Sequence, residues 1–247
     1  MILKTQKNID IMKEGGKILA EIMAQTKEKA GVGVTTKYLN DFAEKLIKQK
    51  KGKPSFKGYN NFPAAICTSV NEVLVHGIPS DYVLKNGDIL SLDIGFLYNG
   101  FHTDMAITFA VGNTTDEINR LIRETRKALK RGIKKMKHGN TLGDIGNTIM
   151  RHAGKTGFFV ADGLCGHGIG RDVHEEPQVL NTGKRRKGIA LEKGLVICIE
   201  PMLIIGDSKI EYCKDGVGIK SANNLPCAHF EHTLALTENG VKVLTEL

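Results

Sequence analysis

The chain has 247 residues, 41% apolar and 25% charged, the balance of a water-soluble globular protein with one large core or two halves sharing one. No stretch approaches the roughly 18 apolar residues of a membrane span, and the first ten residues carry no apolar segment of a secretory signal. Five cysteines, odd in number and without a C-x-x-C pair, exclude a disulfide scaffold and predict reduced thiols in the cytoplasm. The net charge of +8 gathers at residues 120–138 and 184–187; with no interleaved aromatics these read first as solvated surface, and secondly as a face for nucleic acid or the ribosome.

Taken in chain order, Ile11, Gly15, Ile18 and Ile22 recur at three- and four-residue spacing and predict a helix over residues 8–28. After the Gly31-Val32-Gly33 turn, Thr36 precedes a second amphipathic stripe of Leu39, Phe42, Ala43, Leu46 and Ile47. Val75-His76-Gly77-Ile78-Pro79 follows, and then Leu84-Lys85-Asn86-Gly87 opens an apolar run that ends at Asp93. Asn99-Gly100 predicts a hairpin, because a type I′ turn requires positive φ at both central positions. In that register, residues whose numbers sum to 199 face each other, so Gly95 opposes Asp104. Asp93 and Asp104 then become diagonal neighbours on one face, roughly 7–8 Å apart along the backbone.

The second half begins near residues 112–115. Thr114-x-x-Glu117 has capping-box form ahead of Ile118, Leu121, Ile122, Leu129 and Ile133. A turn at His138-Gly139-Asn140 leads to Thr141-x-x-Asp144 and a helix with Leu142, Ile145 and Ile149. Then come Cys165-Gly166-His167-Gly168-Ile169-Gly170 and Val173-His174-Glu175-Glu176-Pro177. Leu191-Glu192-Lys193-Gly194 opens an apolar strand ending at Glu200, and His229-Phe230-Glu231 opens the last apolar stretch. Helix, helix, strands, twice over, predicts an α+β fold with four helices outside an antiparallel sheet, one catalytic domain over 1–247 whose pseudo-symmetric halves are about 1–113 and 114–247.

The repeat carries the chemistry. In each half an acid lies six residues after a glycine, Asp93 after Gly87 and Glu200 after Gly194, and a His-x-acid triplet follows, His102-Thr103-Asp104 and His229-Phe230-Glu231. Four carboxylates delivered from buried strands to one place are intolerable without cations. With His167 they form a set of hard oxygens and one imidazole, suited to Mn²⁺, Fe²⁺ or Co²⁺ more than to a thiolate zinc site. Four acids to one histidine suggest two ions.

Other patterns fail. His174-Glu175-Glu176-Pro177-Gln178 lacks the second histidine of H-E-x-x-H, and Gly166-x-Gly168-x-Gly170 has the wrong spacing for a dinucleotide fingerprint. His138 and His152 read as surface residues, His102 and His229 as supports of the ligands, and His232 as packing on the opposite strand face. Two bridged ions generate a hydroxide nucleophile near neutral pH. His76 and His174, one per half, are placed to hold a scissile carbonyl, and Glu200 to relay a proton. A site negative before metals bind disfavours a polyanion and suits a substrate with a free amine, so an aminopeptidase is expected.

Asn71-Glu72-Val73-Leu74-Val75-His76-Gly77-Ile78-Pro79, Asp93 with Asp104, Gly166-His167-Gly168-Ile169-Gly170, His174-Glu175-Glu176-Pro177, Ile199-Glu200-Pro201-Met202 and Phe230-Glu231-His232-Thr233 together resemble the type I methionine aminopeptidases. The likeness runs over nearly the whole chain. It implies the pita-bread fold, two divalent ions (Co²⁺, Mn²⁺, Fe²⁺ or Zn²⁺), and removal of the initiator methionine from nascent proteins with small second residues. By resemblance Asp93, Asp104, His167, Glu200 and Glu231 are ligands, His76, His174 and Glu200 are catalytic, and Tyr59, Phe62 and Cys67, with His76 and His174, bind substrate. A cytoplasmic monomer meeting nascent N-termini, with a transient ribosome contact, is expected. The chain begins almost at its first helix, which sets it apart from prolidases with an added N-terminal domain. Val173 and Val217 stand where an aromatic and a tryptophan are common in the family; this chain has no tryptophan. An X-Pro dipeptidase and a non-enzymatic binding protein on the same scaffold are the competing expectations.

Overall fold

A computed structural model describes residues 2–247. The four expected helices form: α1 (Gln6–Lys29), α2 (Thr36–Gln49), α3 (Asp116–Ile133) and α4 (Leu142–Lys155). The turns fall where the glycines place them. The Asp144 carboxylate caps α4 as expected, accepting at 3.0 Å from both the backbone N–H and the hydroxyl of Thr141. The start of α3 is one residue later than the spacing predicts: Thr115, not Thr114, caps it, accepting from the Ile118 N–H at 3.3 Å. That frame puts Asp116 and Glu117 in the first turn, where the helix dipole favours acids.

Seven strands bear on the site: β1 (Cys67–Val70), β2 (Ile89–Tyr98), β3 (Phe101–Ala110), β4 (Cys165–Gly168), β5 (Glu175–Leu180), β6 (Val196–Ile199) and β7 (Glu231–Thr237). They lie antiparallel in the order β2-β3-β7-β6-β4-β5, with β1 also on β2. The β2–β3 hairpin has the predicted register throughout, from Ile89 opposite Ala110 to Tyr98 opposite Phe101, with Gly95 opposite Asp104. Asn99 and Gly100 both take the positive φ that the turn needs (48° and 79°).

The two halves meet where β3 pairs with β7, Glu231 opposite Ala106 and His232 opposite Met105. Just beyond, the Thr233 hydroxyl replaces a ladder bond. It accepts from the Asp104 N–H and donates to the Asp104 carbonyl, both at 2.8 Å. That bond locks Asp104 to the second half. Leu19, Ile22, Met23, Leu39 and Ile47 of α1 and α2 cover the first half of the sheet. Leu121, Leu129, Ile145 and Ile149 of α3 and α4 cover the second. His152, expected at the surface, is buried instead. The packing of α3 on α4 turns it inward, where its Nε2 lies 3.2 Å from both the carbonyl and the carboxylate of Glu124.

Candidate metal centre

Asp93 lies on β2, Asp104 on β3, Glu231 at the start of β7, and Glu200 one residue past β6. Because Ile199 pairs with His232, one further step sets Glu200 beside Glu231, whereas Asp93 and Asp104 are diagonal. All four side chains are buried. His167 enters from β4, where Gly166 permits close approach: a Cβ there would sit 2.3 Å from the Cys198 carbonyl oxygen. The structure therefore brings all five expected residues to one place.

The atoms are spaced for ions, not for each other. One ligand atom from each of Asp93, Asp104 and Glu231 lies within 4.8 Å of the others, and Glu231 also enters such a group with Glu200 and His229. The His167 Nε2 stands 3.6 Å from Glu200 and 3.8 Å from Glu231, beyond good hydrogen-bond length. Asp93 Oδ1, Asp104 Oδ1 and Glu231 Oε1 are buried without a hydrogen-bond partner. Orphaned buried oxygens are costly, and in this number they mark a place for cations.

The electrostatics agree. Burial raises the Asp93 carboxyl above its ordinary range, partly offset by His229. Burial raises Asp104, Glu200 and Glu231 well above theirs, and repulsion within the cluster adds to it, on Asp104 chiefly from Glu231 and on Glu200 from Asp93. Burial, with His174 against it, takes the His167 imidazole down to about 3, so it is neutral and its lone pair is free to ligate. The Cys198 thiol also reaches the cluster, but burial pushes it well up and leaves it protonated. The donor set fits hard divalent ions.

His76 and His174 stand exposed at the rim of the cluster. His76 adopts a left-handed φ of 58°, a strained conformation for a non-glycine residue and typical of functional positions. The His174 ring meets the His167 ring edge-on at 4.3 Å, and its Nδ1 shares a 3.0 Å hydrogen bond with the Tyr59 hydroxyl. Two cavities open from here. One of about 170 Å³ is walled by Phe56, Tyr59, Phe62, Cys67 and Val217 and floored by the carboxylates. The other, of about 430 Å³, runs along Cys165, Gln178 and Met202. His76, His167, His174 and Glu200 line both. Val173 packs with Phe56, Phe62 and Cys67 behind the smaller cavity.

His229 is the residue whose depth in the site was not anticipated. Its Nε2 lies 3.3 Å from Glu200 and 3.8 Å from Glu231, and neither ring nitrogen has a hydrogen-bond partner. Its place two residues before Glu231 was the available signal. His102, expected beside the ligands, turns away to share a 2.8 Å hydrogen bond with Ser55. His232 packs on the other face, against Thr245, as expected.

A buried acid cluster around a neutral histidine, at the seam of two similar half-sheets, defines a metallohydrolase centre. The chain belongs to the metallopeptidase family M24, whose model matches residues 10–238. It is 44% identical to the methionine aminopeptidase of Clostridium perfringens over 99% of this chain and 98% of that one. It is 42% identical to methionine aminopeptidase 1 of Bacillus subtilis over the full length of both. The crystal structure of the Thermotoga maritima methionine aminopeptidase superposes with a TM-score of 0.98 at 38% identity, covering 100% of each chain. The fold is therefore the pita-bread fold, and the chain is a metallopeptidase that uses divalent metal.

Proposed function

We propose that this metallopeptidase removes the initiator methionine from new polypeptides whose second residue is small. The observation that carries the reading is the wall of His76, His174 and Glu200 shared by two cavities of unequal size. The smaller, at about 170 Å³, is below the roughly 300–1,000 Å³ of ordinary ligand pockets and takes one apolar side chain. The larger takes the chain that follows. A peptide bond crossing the wall is then the first bond of the polypeptide, and its free amine faces the carboxylates.

Asp93, Asp104, His167, Glu200 and Glu231 would hold two divalent ions, Co²⁺, Mn²⁺, Fe²⁺ or Zn²⁺, with Glu231 common to the donor groups. Bound there, the ions supply the Lewis acidity that makes water a nucleophile near neutral pH. Tyr59, Phe62 and Cys67 seat the methionine side chain. With Nδ1 accepting from the Tyr59 hydroxyl, the His174 Nε2 carries a proton and donates to the carbonyl oxygen as it gains charge, and His76 donates from the other side. Glu200 takes the proton of the attacking water and passes it to the leaving amine.

With valine in place of an aromatic at 217 in its wall and at 173 behind it, this pocket discriminates loosely among apolar side chains, where one methylene of fit is worth only about 1–3 kcal/mol. The five free thiols support a cytoplasmic setting. No described helix is long and apolar enough to cross a membrane. The chain works as a monomer, and its basic helix face, including Lys127, Arg131 and Arg151, supports a transient contact with the ribosome near the emerging N-terminus.

The test is release of methionine from Met-Ala-Ser beside acetyl-Met-Ala-Ser and Leu-Ala-Ser. Cleavage of the free methionyl peptide, none of the acetylated one and slower cleavage of the leucyl one are expected. Equal cleavage of the acetylated peptide would remove the assigned role of the amine.

A further inference from the structure

Lys4 is nearly inaccessible to solvent, an unusual position for a lysine. Its backbone N–H donates to the Gly194 carbonyl at 2.7 Å, in the turn that leads into β6 and Glu200. Its ammonium donates to the Ile2 carbonyl at 3.1 Å and forms a short ion pair with Glu175 Oε2. The two side chains of that pair are 5% and 9% exposed.

Glu175 immediately follows His174. Its other oxygen accepts the Arg171 N–H at 2.7 Å and the Asp172 N–H at 3.3 Å, closing the loop from 170 to 175 on itself. The lysine reaches this carboxylate through a gap left by glycine. A Cβ on Gly170 would lie 2.4 Å from Lys4 Cε, 2.7 Å from Nζ and 2.5 Å from Glu175 Oε1. The third glycine of Gly166-x-Gly168-x-Gly170 thus admits a cation from the chain's first segment. Burying an ammonium and a carboxylate costs more than a surface pair returns unless the geometry is held.

We propose that Lys4 is a positioning residue: its buried pair with Glu175 sets the 170–175 loop, and with it the place of the His174 ring. This rests on the role assigned to His174. The side-chain pair touches no metal ligand; Glu175 meets the ligand strand only through its backbone pairing with Gly168, next to His167, so metal affinity is measured beside turnover. The pair acts on turnover through one histidine and not on metal binding.

The test compares the Lys4→Met variant with the parent chain, in full-length protein, alone and in a His174→Ala background. A loop misplaced by a fraction of an ångström lowers kcat about 10- to 100-fold on Met-Ala-Ser, with KM little changed. In the His174→Ala background the same substitution adds no further loss. The double variant Lys4→Met/Glu175→Gln removes the buried unpaired charge should Lys4→Met alone unfold, and keeps the low kcat. Independently of turnover, the His174 ring resonances of the metal-stripped protein shift in Lys4→Met. An equal fall in both backgrounds, a wild-type kcat in the double variant, or unmoved His174 resonances would overturn the proposal. If the parent chain released no methionine, the function would fail while the resonances still judged Lys4.

Discussion

Replacing Asp104 with asparagine should stabilise the metal-free protein while destroying its function. Asp104 is 3% exposed, its Oδ1 has no partner, and its ligand atom lies within 4.8 Å of those of Asp93 and Glu231. At an effective dielectric of about 20, two carboxylates at that distance repel by roughly 3.5 kcal/mol when both are ionised. The isosteric amide removes Asp104 from every such pair and offers N–H donors to the remaining acids. Proton sharing within the cluster reduces the gain, so about 1.5–3.5 kcal/mol is expected at alkaline pH. For a chain of this size that raises Tm by roughly 3–14 °C. The assay is thermal unfolding of the chelator-stripped parent and Asp104→Asn proteins at pH 8.5, followed by the same melts with Mn²⁺ added. Metal should raise the parent strongly and the variant little, and the variant should not turn over. A variant less stable than the metal-free parent would refute the reasoning, because it would mean the carboxylate is held by partners and not strained by neighbours.

Other outcomes follow from the same electrostatics and packing. In the metal-free protein the raised carboxyls of Asp104, Glu200 and Glu231 bind protons more tightly folded than unfolded, so stability falls as pH rises above about 4.3 toward their folded values. His167, depressed to about 3, acts oppositely: stability falls as pH drops below about 6.5, where only the unfolded chain protonates. The acids therefore cost the stripped protein stability as pH rises, while the buried histidines cost it stability as pH falls. Bound Mn²⁺, which holds the acids ionised, should flatten the loss on the rising side of the Tm profile. A flat profile in stripped protein would contradict the pKa directions. Val217→Trp should fill the apolar cavity beside Phe56 and Phe62 and raise the preference for methionyl over leucyl peptides several-fold, within the roughly 1–3 kcal/mol that such fit is worth. An unchanged ratio of kcat/KM values would place the specificity elsewhere.

Much of this centre could be read from the chain because its signals are local. Asn99-Gly100 set the hairpin register by turn chemistry alone, and the register delivered Asp93 and Asp104 to one face. Glu200 and Glu231 announced themselves as acids at the ends of apolar runs. What stayed hidden depends on distant packing. Whether His152 faces water is decided by how α4 meets α3, and nothing in its own neighbourhood reports Glu124. His229 and His102 occupy equivalent places in the repeat, yet one enters the cluster and the other leaves for Ser55. Lys4 gives no sign of burial, since the gap it fills belongs to a glycine 166 positions away.

The most direct measurement is to strip the protein with a chelator, titrate Mn²⁺ back while counting bound ions by calorimetry, and follow methionine release from Met-Ala-Ser in the same samples. We expect no release without metal, and activity rising with occupancy to a limit at two ions per chain. Turnover by the fully stripped protein, or saturated metal binding without any release, would contradict this expectation.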